Sequence, residues 1–183
     1  MRKDLTHQPG AFLLLISLAI APGVSPAQLK VGQVKNVEHG TLMFQDDNVH
    51  MELSLSASAF EQADTDKDKR LSAAELKTNH ADIVKLITEQ VTLSSKQGTY
   101  VLKDIVITPV RPLNSPMSPA ARVVVQGKFE PDSGAEDLQF SVGLFGSRAD
   151  EDEITMRVIK PYENLQKIFT LSPDANSSKL NFD

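Results

Sequence analysis

Asp64-Thr65-Asp66-Lys67-Asp68-Lys69-Arg70-Leu71-Ser72-Ala73-Ala74-Glu75 is the stretch from which the rest of the chain is read. Counting Asp64 as the first position, side-chain oxygens fall at positions 1, 3, 5, 9 and 12 and belong to Asp64, Asp66, Asp68, Ser72 and Glu75. Alternate spacing lets the side chains of a tight loop converge on one point, and Ca²⁺, a hard cation, asks for about six to eight oxygens gathered in this way. The expected ligands are the carboxylates of Asp64, Asp66 and Asp68, the backbone carbonyl of Arg70, Ser72 through a water, and Glu75 with both oxygens.

Working outward, Ser72-Ala73-Ala74-Glu75 is also a capping box, so one glutamate serves both a helix start and a metal. Leu76, Ile83 and Ile87, with Ala73 before them and His80 filling the gap, form a helical stripe that predicts a helix running to about Gln90. Phe60 lies four residues before the loop, where an incoming helix buries it. Lys69 stands at position 6, where the backbone turns with positive φ and glycine is usual; a side chain there costs roughly 1–2 kcal/mol. Lys67, Lys69 and Arg70 offset three of the four loop carboxylates in formal charge. Both features predict a weak site.

These residues resemble the EF-hand superfamily from Ala57 to Gln90, with five matching side-chain positions and one mismatch, Lys69. The resemblance implies a helix-loop-helix that binds calcium, with Leu71 at position 8 pairing with a neighbouring loop. Hands usually come in pairs, and this chain has one, so Leu71 is expected either at a homodimer contact or against the β-rich part of its own chain, the arrangement favoured here. The order of leader, strand, single hand, long helix and strand-rich segment also resembles the exported N-terminal domain of HupE/UreJ-type membrane proteins. This chain lacks their membrane helices.

The remainder reads as strands. Val49 to Leu55 alternates apolar and polar residues, and Thr41 to Phe44 is expected to pair with it across Asp46-Asp47-Asn48. Val91–Leu93, Tyr100–Ile107, Ala121–Phe129, Leu138–Phe145, Ile154–Ile159 and Leu165–Leu171 are further strands, making about eight. That number predicts an α+β chain in which a single EF-hand, residues 57–90, is combined with an antiparallel β-sandwich-like domain whose strand-rich segment is 91–172. Pro109 to Pro119 is expected to be a loop, the acidic run Asp150-Glu151-Asp152-Glu153 a solvated turn, and the tail from Pro173 loosely held.

Arg2 and Lys3, the apolar run Ala11–Ile20 and Ser25-Pro26-Ala27 read as a signal peptide, residues 1–27, leaving 28–183 as one compact domain in the periplasm or medium. An apolar core of this length is too short to span a bilayer. Losing Arg2, Lys3 and Asp4 with the leader moves the formal charge from −5 to −6, which argues against nucleic acid as a partner. With no cysteine there is neither a disulfide nor a thiolate site.

Catalytic spacing is missing: there is no G-x-S-x-G elbow and no H-E-x-x-H, so the chain reads as a non-enzyme. His39, Met43, His50 and Met51 suggest a soft copper site, but strand neighbours point to opposite faces, so His50 and Met51 cannot share an ion. His80 reads as a boundary residue. The alternative to a calcium protein is a β-sandwich that binds a protein or glycan partner, its acidic loop binding nothing.

Overall fold

Alternation builds the first hairpin, in which β1 (Glu38–Gln45) and β2 (Asn48–Ser56) pair antiparallel with Leu42 opposite Met51 and Met43 opposite His50. Asp46 makes the turn at φ 53°, a left-handed conformation that a short polar side chain tolerates. This computed structural model describes residues 38–182. The expected leader and cleavage site lie outside the described residues.

After β2 the chain makes one 3₁₀ turn, Ala57–Phe60, then the acidic loop, then α1 (Ala73–Thr78) and α2 (His80–Gln90). The incoming helix is thus a single turn. The predicted outgoing helix ends at Gln90 as expected but is divided at Asn79, whose ψ of 14° leaves the helical range. Asn79 Nδ2 donates to the Ala63 carbonyl at 3.1 Å, so the break ties the helix pair back to the loop.

The strands that follow are β3 (Val91–Ser94), β4 (Thr99–Val101), β5 (Lys103–Val110), β6 (Arg122–Phe129), β7 (Gln139–Val142), β8 (Ile154–Lys160), β9 (Leu165–Leu171) and β10 (Ser177–Lys179). They form a six-stranded sheet, ordered β5-β6-β2-β1-β8-β9, and a four-stranded sheet, ordered β10-β7-β3-β4. The architecture is α+β, with two mostly antiparallel sheets and few helices. One pairing departs from the expected antiparallel pattern: β1 and β8, more than a hundred residues apart, run parallel, Leu42 opposite Val158.

The predicted strand Tyr100–Ile107 is two strands in different sheets, because the chain changes sheet at Leu102, whose side chain is buried. Pro109, expected in a loop, belongs to β5. Proline cannot donate to a ladder, and β5 is an edge strand that asks for no donor on its free side.

Both sheets and the helices share one apolar core. Leu42, Leu53, Val125 and Met156 come from the larger sheet, Leu93 and Phe140 from the smaller, and Phe60, Leu71, Ile83 and Ile87 from the helical segment. Phe129 and Phe140 meet edge to face across the sheets, ring centroids 6.2 Å apart. At Gly40 a Cβ would lie 2.7 Å from Met156 Sδ and 2.8 Å from Leu53 Cδ1, so any side chain there would push these core side chains aside. Among the described residues no helix is long and apolar enough to cross a membrane.

The C-terminal tail is not loose. β10 pairs with β7, Leu180 N–H donates to the Leu138 carbonyl at 2.8 Å, and Lys167 Nζ donates to the carbonyls of Lys179 and Asn181. Leu180 enters the core, and Phe182 packs edge to face on Phe44 with Lys160 Nζ above both rings. Local composition gave no hint of this, because the tail's partners are remote in sequence. Leu180→Ala is expected to destabilise the protein by about 2–4 kcal/mol. Urea unfolding reads this directly, and a change within about 0.5 kcal/mol would mean that the tail is not part of the cooperative unit.

Candidate metal centre

The acidic loop leaves the end of β2 through a capped turn: Ser56 Oγ accepts from Ser58 N–H, and Ala57 N–H donates to the Ala121 carbonyl at 2.9 Å. Within the loop each aspartate accepts amide bonds from residues ahead of it. Asp64 Oδ2 accepts from Lys69 N at 2.7 Å and Oδ1 from Asp68 N at 3.2 Å; Asp66 Oδ1 also accepts from Asp68 N, and Asp68 Oδ1 from Arg70 N at 2.7 Å. Such Asx-type turns wind the chain around its own side chains. Lys67 at φ 59° and Lys69 at φ 63° supply the left-handed steps that this winding needs.

The result is a triad. Carboxylate oxygens of Asp64, Asp66 and Asp68 lie within 4.8 Å of one another, Asp64 buried and the other two exposed. This cluster could hold a metal ion. Of the other expected ligands, Glu75 stands apart from the triad: Oε1 accepts from Thr65 N and Thr65 Oγ1, both at 2.8 Å, and Oε2 from Ser72 N at 2.9 Å. Ser72 Oγ accepts from Glu75 N, completing the capping box. Arg70, expected to contribute its carbonyl, gives its amide to Asp68.

Electrostatics follow the hydrogen bonds. The Ser72 amide, helped by Thr65, draws the Glu75 carboxyl down to about 2, so this side chain is ionised where it caps the helix. For Asp66 the largest single influence, the Asp68 amide, lowers the pKa, but desolvation and the adjacent charges of Asp68 and Glu75 outweigh it and leave the carboxyl raised. Crowded carboxylates of this kind are relieved by a cation.

Leu71 fixes the loop to the scaffold. Its N–H donates to the Ala120 carbonyl at 2.9 Å and its carbonyl accepts from Ala120 N–H at 2.8 Å, an isolated antiparallel bridge with the segment that leads into β6. Of the two arrangements expected for this residue, the loop therefore uses its own chain's β-rich part.

Beneath the loop's first turn lies a polar network that the sequence did not reveal. Glu38 Oε1 accepts from Ser56 N at 2.6 Å, Ser58 Oγ donates to Glu151 Oε2 at 2.6 Å and accepts from Ser147 N, and Arg148 Nη1 reaches Glu151 Oε1 at 3.3 Å. Glu151 is buried, which corrects the reading of residues 150–153 as a wholly solvated turn; Asp150, Asp152 and Glu153 remain exposed. Nothing local in a four-residue acidic run marks its second member for burial, since its partner Ser58 is 93 residues away.

On the open face of the larger sheet, Met43 and His50 face each other across the hairpin while Met51 enters the core, the split that alternation predicts. They border a concavity of about 640 Å³ that is also lined by Thr41 and by two pairs, Gln126 with Glu52 and Lys128 with Asp104. It offers two soft ligand atoms, against three converging carboxylates in the acidic loop. No family model and no curated protein matches the chain, so function is argued from the site's own chemistry.

Desolvation pushes the Glu38 carboxyl up to about 7 from 4.5; the Ser56 amide and Arg122 pull it down, and Glu151 raises it a little. A raised folded-state pKa means the folded protein holds a proton that the unfolded chain has released. Stability is therefore full below 4.5 and falls as pH rises to about 7, by roughly 3 kcal/mol at most. Glu38→Gln is expected to flatten this slope and to make the protein more stable than the parent at pH 8; the same change in urea-unfolding free energy between pH 5 and pH 8 in parent and variant would contradict it.

Proposed function

We propose that this is an exported calcium-binding protein in which a single EF-hand is carried on an antiparallel β-sandwich-like domain. The observation that carries the reading is the convergence of Asp64, Asp66 and Asp68 within 4.8 Å on a twelve-residue loop. An all-oxygen donor set suits a hard cation, and Mg²⁺, which wants a smaller octahedral shell and keeps its waters, suits a loop of this length less well. The export half of the reading rests on the leader pattern in residues 1–27.

Calcium binding in this reading is an exchange. A bound calcium would draw Glu75 away from Thr65 and Ser72 to supply carboxylate oxygens beside the triad, with the Arg70 carbonyl and Ser72 as the remaining donors. Breaking three charge-assisted bonds to make this move lowers the net affinity, as does the strain at Lys69. Both place the site in the weak extracellular class, with Kd of about 10⁻⁵–10⁻³ M.

The ion acts as a staple. Phe60, Ile83 and Ile87 are already packed into the common core, and the gap between the 3₁₀ turn and α2 holds only about 10 Å³. A hand that opened would have to break that core, whereas a sensor hand keeps an apolar groove ready to expose. The second reading, a sandwich that binds a protein or glycan, draws on the concavity above Met43 and His50.

Calorimetric titration is expected to show one Ca²⁺ per chain in the stated range, with Mg²⁺ a poor competitor. Glu75→Gln should abolish the heat while keeping the helix cap, because glutamine also serves there; Ser72→Ala should weaken binding only. No heat at millimolar calcium, or equal losses from the two changes, would overturn the assignment.

Lys69→Gly is expected to tighten calcium binding about fivefold to tenfold, through relief of the left-handed strain and loss of a loop charge. Lys69→Gln separates the two causes, since it removes the charge and keeps the strain. If Lys69→Gly weakened binding, the loop would not be using this turn to hold the ion.

A further inference from the structure

An open sheet edge is a row of unpaired N–H and C=O groups that invites another strand, and proteins blunt such edges with proline, bulges, charges or short length. Among the described strands four lie at an edge. β5 is blunted by Pro109, by a bulge between Lys103 and Val106, and by the charges of Lys103 and Asp104. β4 and β10 have three residues each. β9 has none of these guards. It runs for seven residues without proline, keeps unbroken register with β8 from Leu165 to Leu171, and among the described residues has no strand on its outer side.

Its side chains leave the edge open as well. Alternation turns Lys167 and Phe169 toward the core and the tail, and Gln166, Ile168 and Thr170 to the open face of the sheet. Lys167 is the one charge on the strand, and its Nζ is taken up by the carbonyls of Lys179 and Asn181, at 3.1 and 3.0 Å, so it does not guard the edge. Ile168 is 57% exposed and is the central residue of the seven.

We propose that β9 pairs antiparallel with β9 of a second copy of this chain, about a twofold axis at Ile168, joining two six-stranded sheets into one. A twofold interface must be complementary to itself, and an axis through the central residue is the one that uses the whole strand. Leu165 then faces Leu171 of the second copy, Gln166 faces Thr170, Lys167 faces Phe169 and Ile168 faces its own counterpart, with no like charges opposed. An axis one residue earlier would set Lys167 against Lys167. Main-chain hydrogen bonds supply the affinity in strand addition of this kind, about six to eight of them for a pair of this length, and the apolar pair at the axis adds to them.

Charge along this rim lets two copies meet. Residues 160–175, the strand with its two flanking turns, carry Lys160, Glu163, Lys167 and Asp174, formally zero in a chain of −5. Lys160 and Glu163 bond each other at 3.3 Å. On β8, Arg157 stands opposite Ile168; the two copies of Arg157 would lie three strand spacings apart, about 14 Å, beyond the screening length of about 8–10 Å. The acidic residues 150–153 precede Ile154, which is in row with Leu171, and that row continues through Leu165 of the second copy to its Lys160, an opposite charge. A seven-residue edge buries less than the roughly 1,200–2,000 Å² of a stable interface, so the dimer is reversible, with a Kd of about 10–100 µM.

The test is analytical ultracentrifugation of the full chain across this concentration range, in chelator, so that it stands whether or not the acidic loop binds calcium. A monomer–dimer equilibrium is expected. Ile168→Lys should weaken it more than tenfold, because the axis brings two lysines together and each also meets Arg157, while the urea midpoint stays that of the parent, residue 168 being exposed. Mixing Ile168→Lys with Ile168→Asp in equal amounts should restore a dimer of one copy of each, since only a residue that faces its own counterpart can be rescued by the opposite charge there. A monomer mass tenfold above the expected range, as when a segment of the same chain takes the edge, overturns the inference. So does a dimer that survives Ile168→Lys, which would lie on another face, and so does a mixture that stays monomeric, which would place residue 168 away from the axis.

Discussion

Two hydrogen bonds between Leu71 and Ala120 hold this architecture's two halves in register. A twelve-residue loop wound on its own carboxylates has no reason to persist alone, since its charges repel and two of its lysines sit in left-handed conformations. Anchoring Leu71 in the core and pairing its backbone with the approach to β6 gives the loop a rigid floor. The aspartates above then have little freedom except to converge. Because the same approach segment receives Ala57 N–H, both sides of the loop hang from Ala120 and Ala121.

That attachment supports the loop from within its own chain. The bridge is made by the approach to β6, which is paired on both sides, to β5 and β2, and cannot shift with the loop. A cation taken up as proposed would therefore act through local events, the turning of Glu75 and a change of charge, rather than through helix opening.

The buried carboxylates supply a second layer of support and a cost. Glu38 and Glu151 each accept from the segment that feeds the loop, through the Ser56 amide and the Ser58 hydroxyl. Their hydrogen bonds orient the capped turn, yet Glu38 Oε2 is buried without a hydrogen-bond partner. A carboxylate in that position stabilises the turn best when it is protonated, since burial penalises its charge more than one amide and a neighbouring arginine can offset.

The oxygen spacing of the loop, the left-handed demand at position 6, the capping box and the alternating strands were legible in the sequence because each depends on residues close in the chain. Val49 to Leu55 reads as a half-buried strand, and Ser72 to Glu75 as a capping box that opens a helix. Other features depend on contacts between distant segments, which local patterns do not encode. The parallel pairing of β1 with β8, the change of sheet at Leu102, the capture of the tail by β7 and the burial of Glu151 against Ser58 are of this kind. So is the state of Glu75: its spacing alone suggests a metal ligand, but its orientation depends on which donors surround it once the chain is folded, and those are Thr65 and Ser72. Sequence determined which atoms have the chemistry to hold a cation, because side-chain type and spacing are local. Tertiary structure alone decided which of them are gathered, since convergence, burial and the bridge to Ala120 are settled only when segments far apart in the chain compete for the same space.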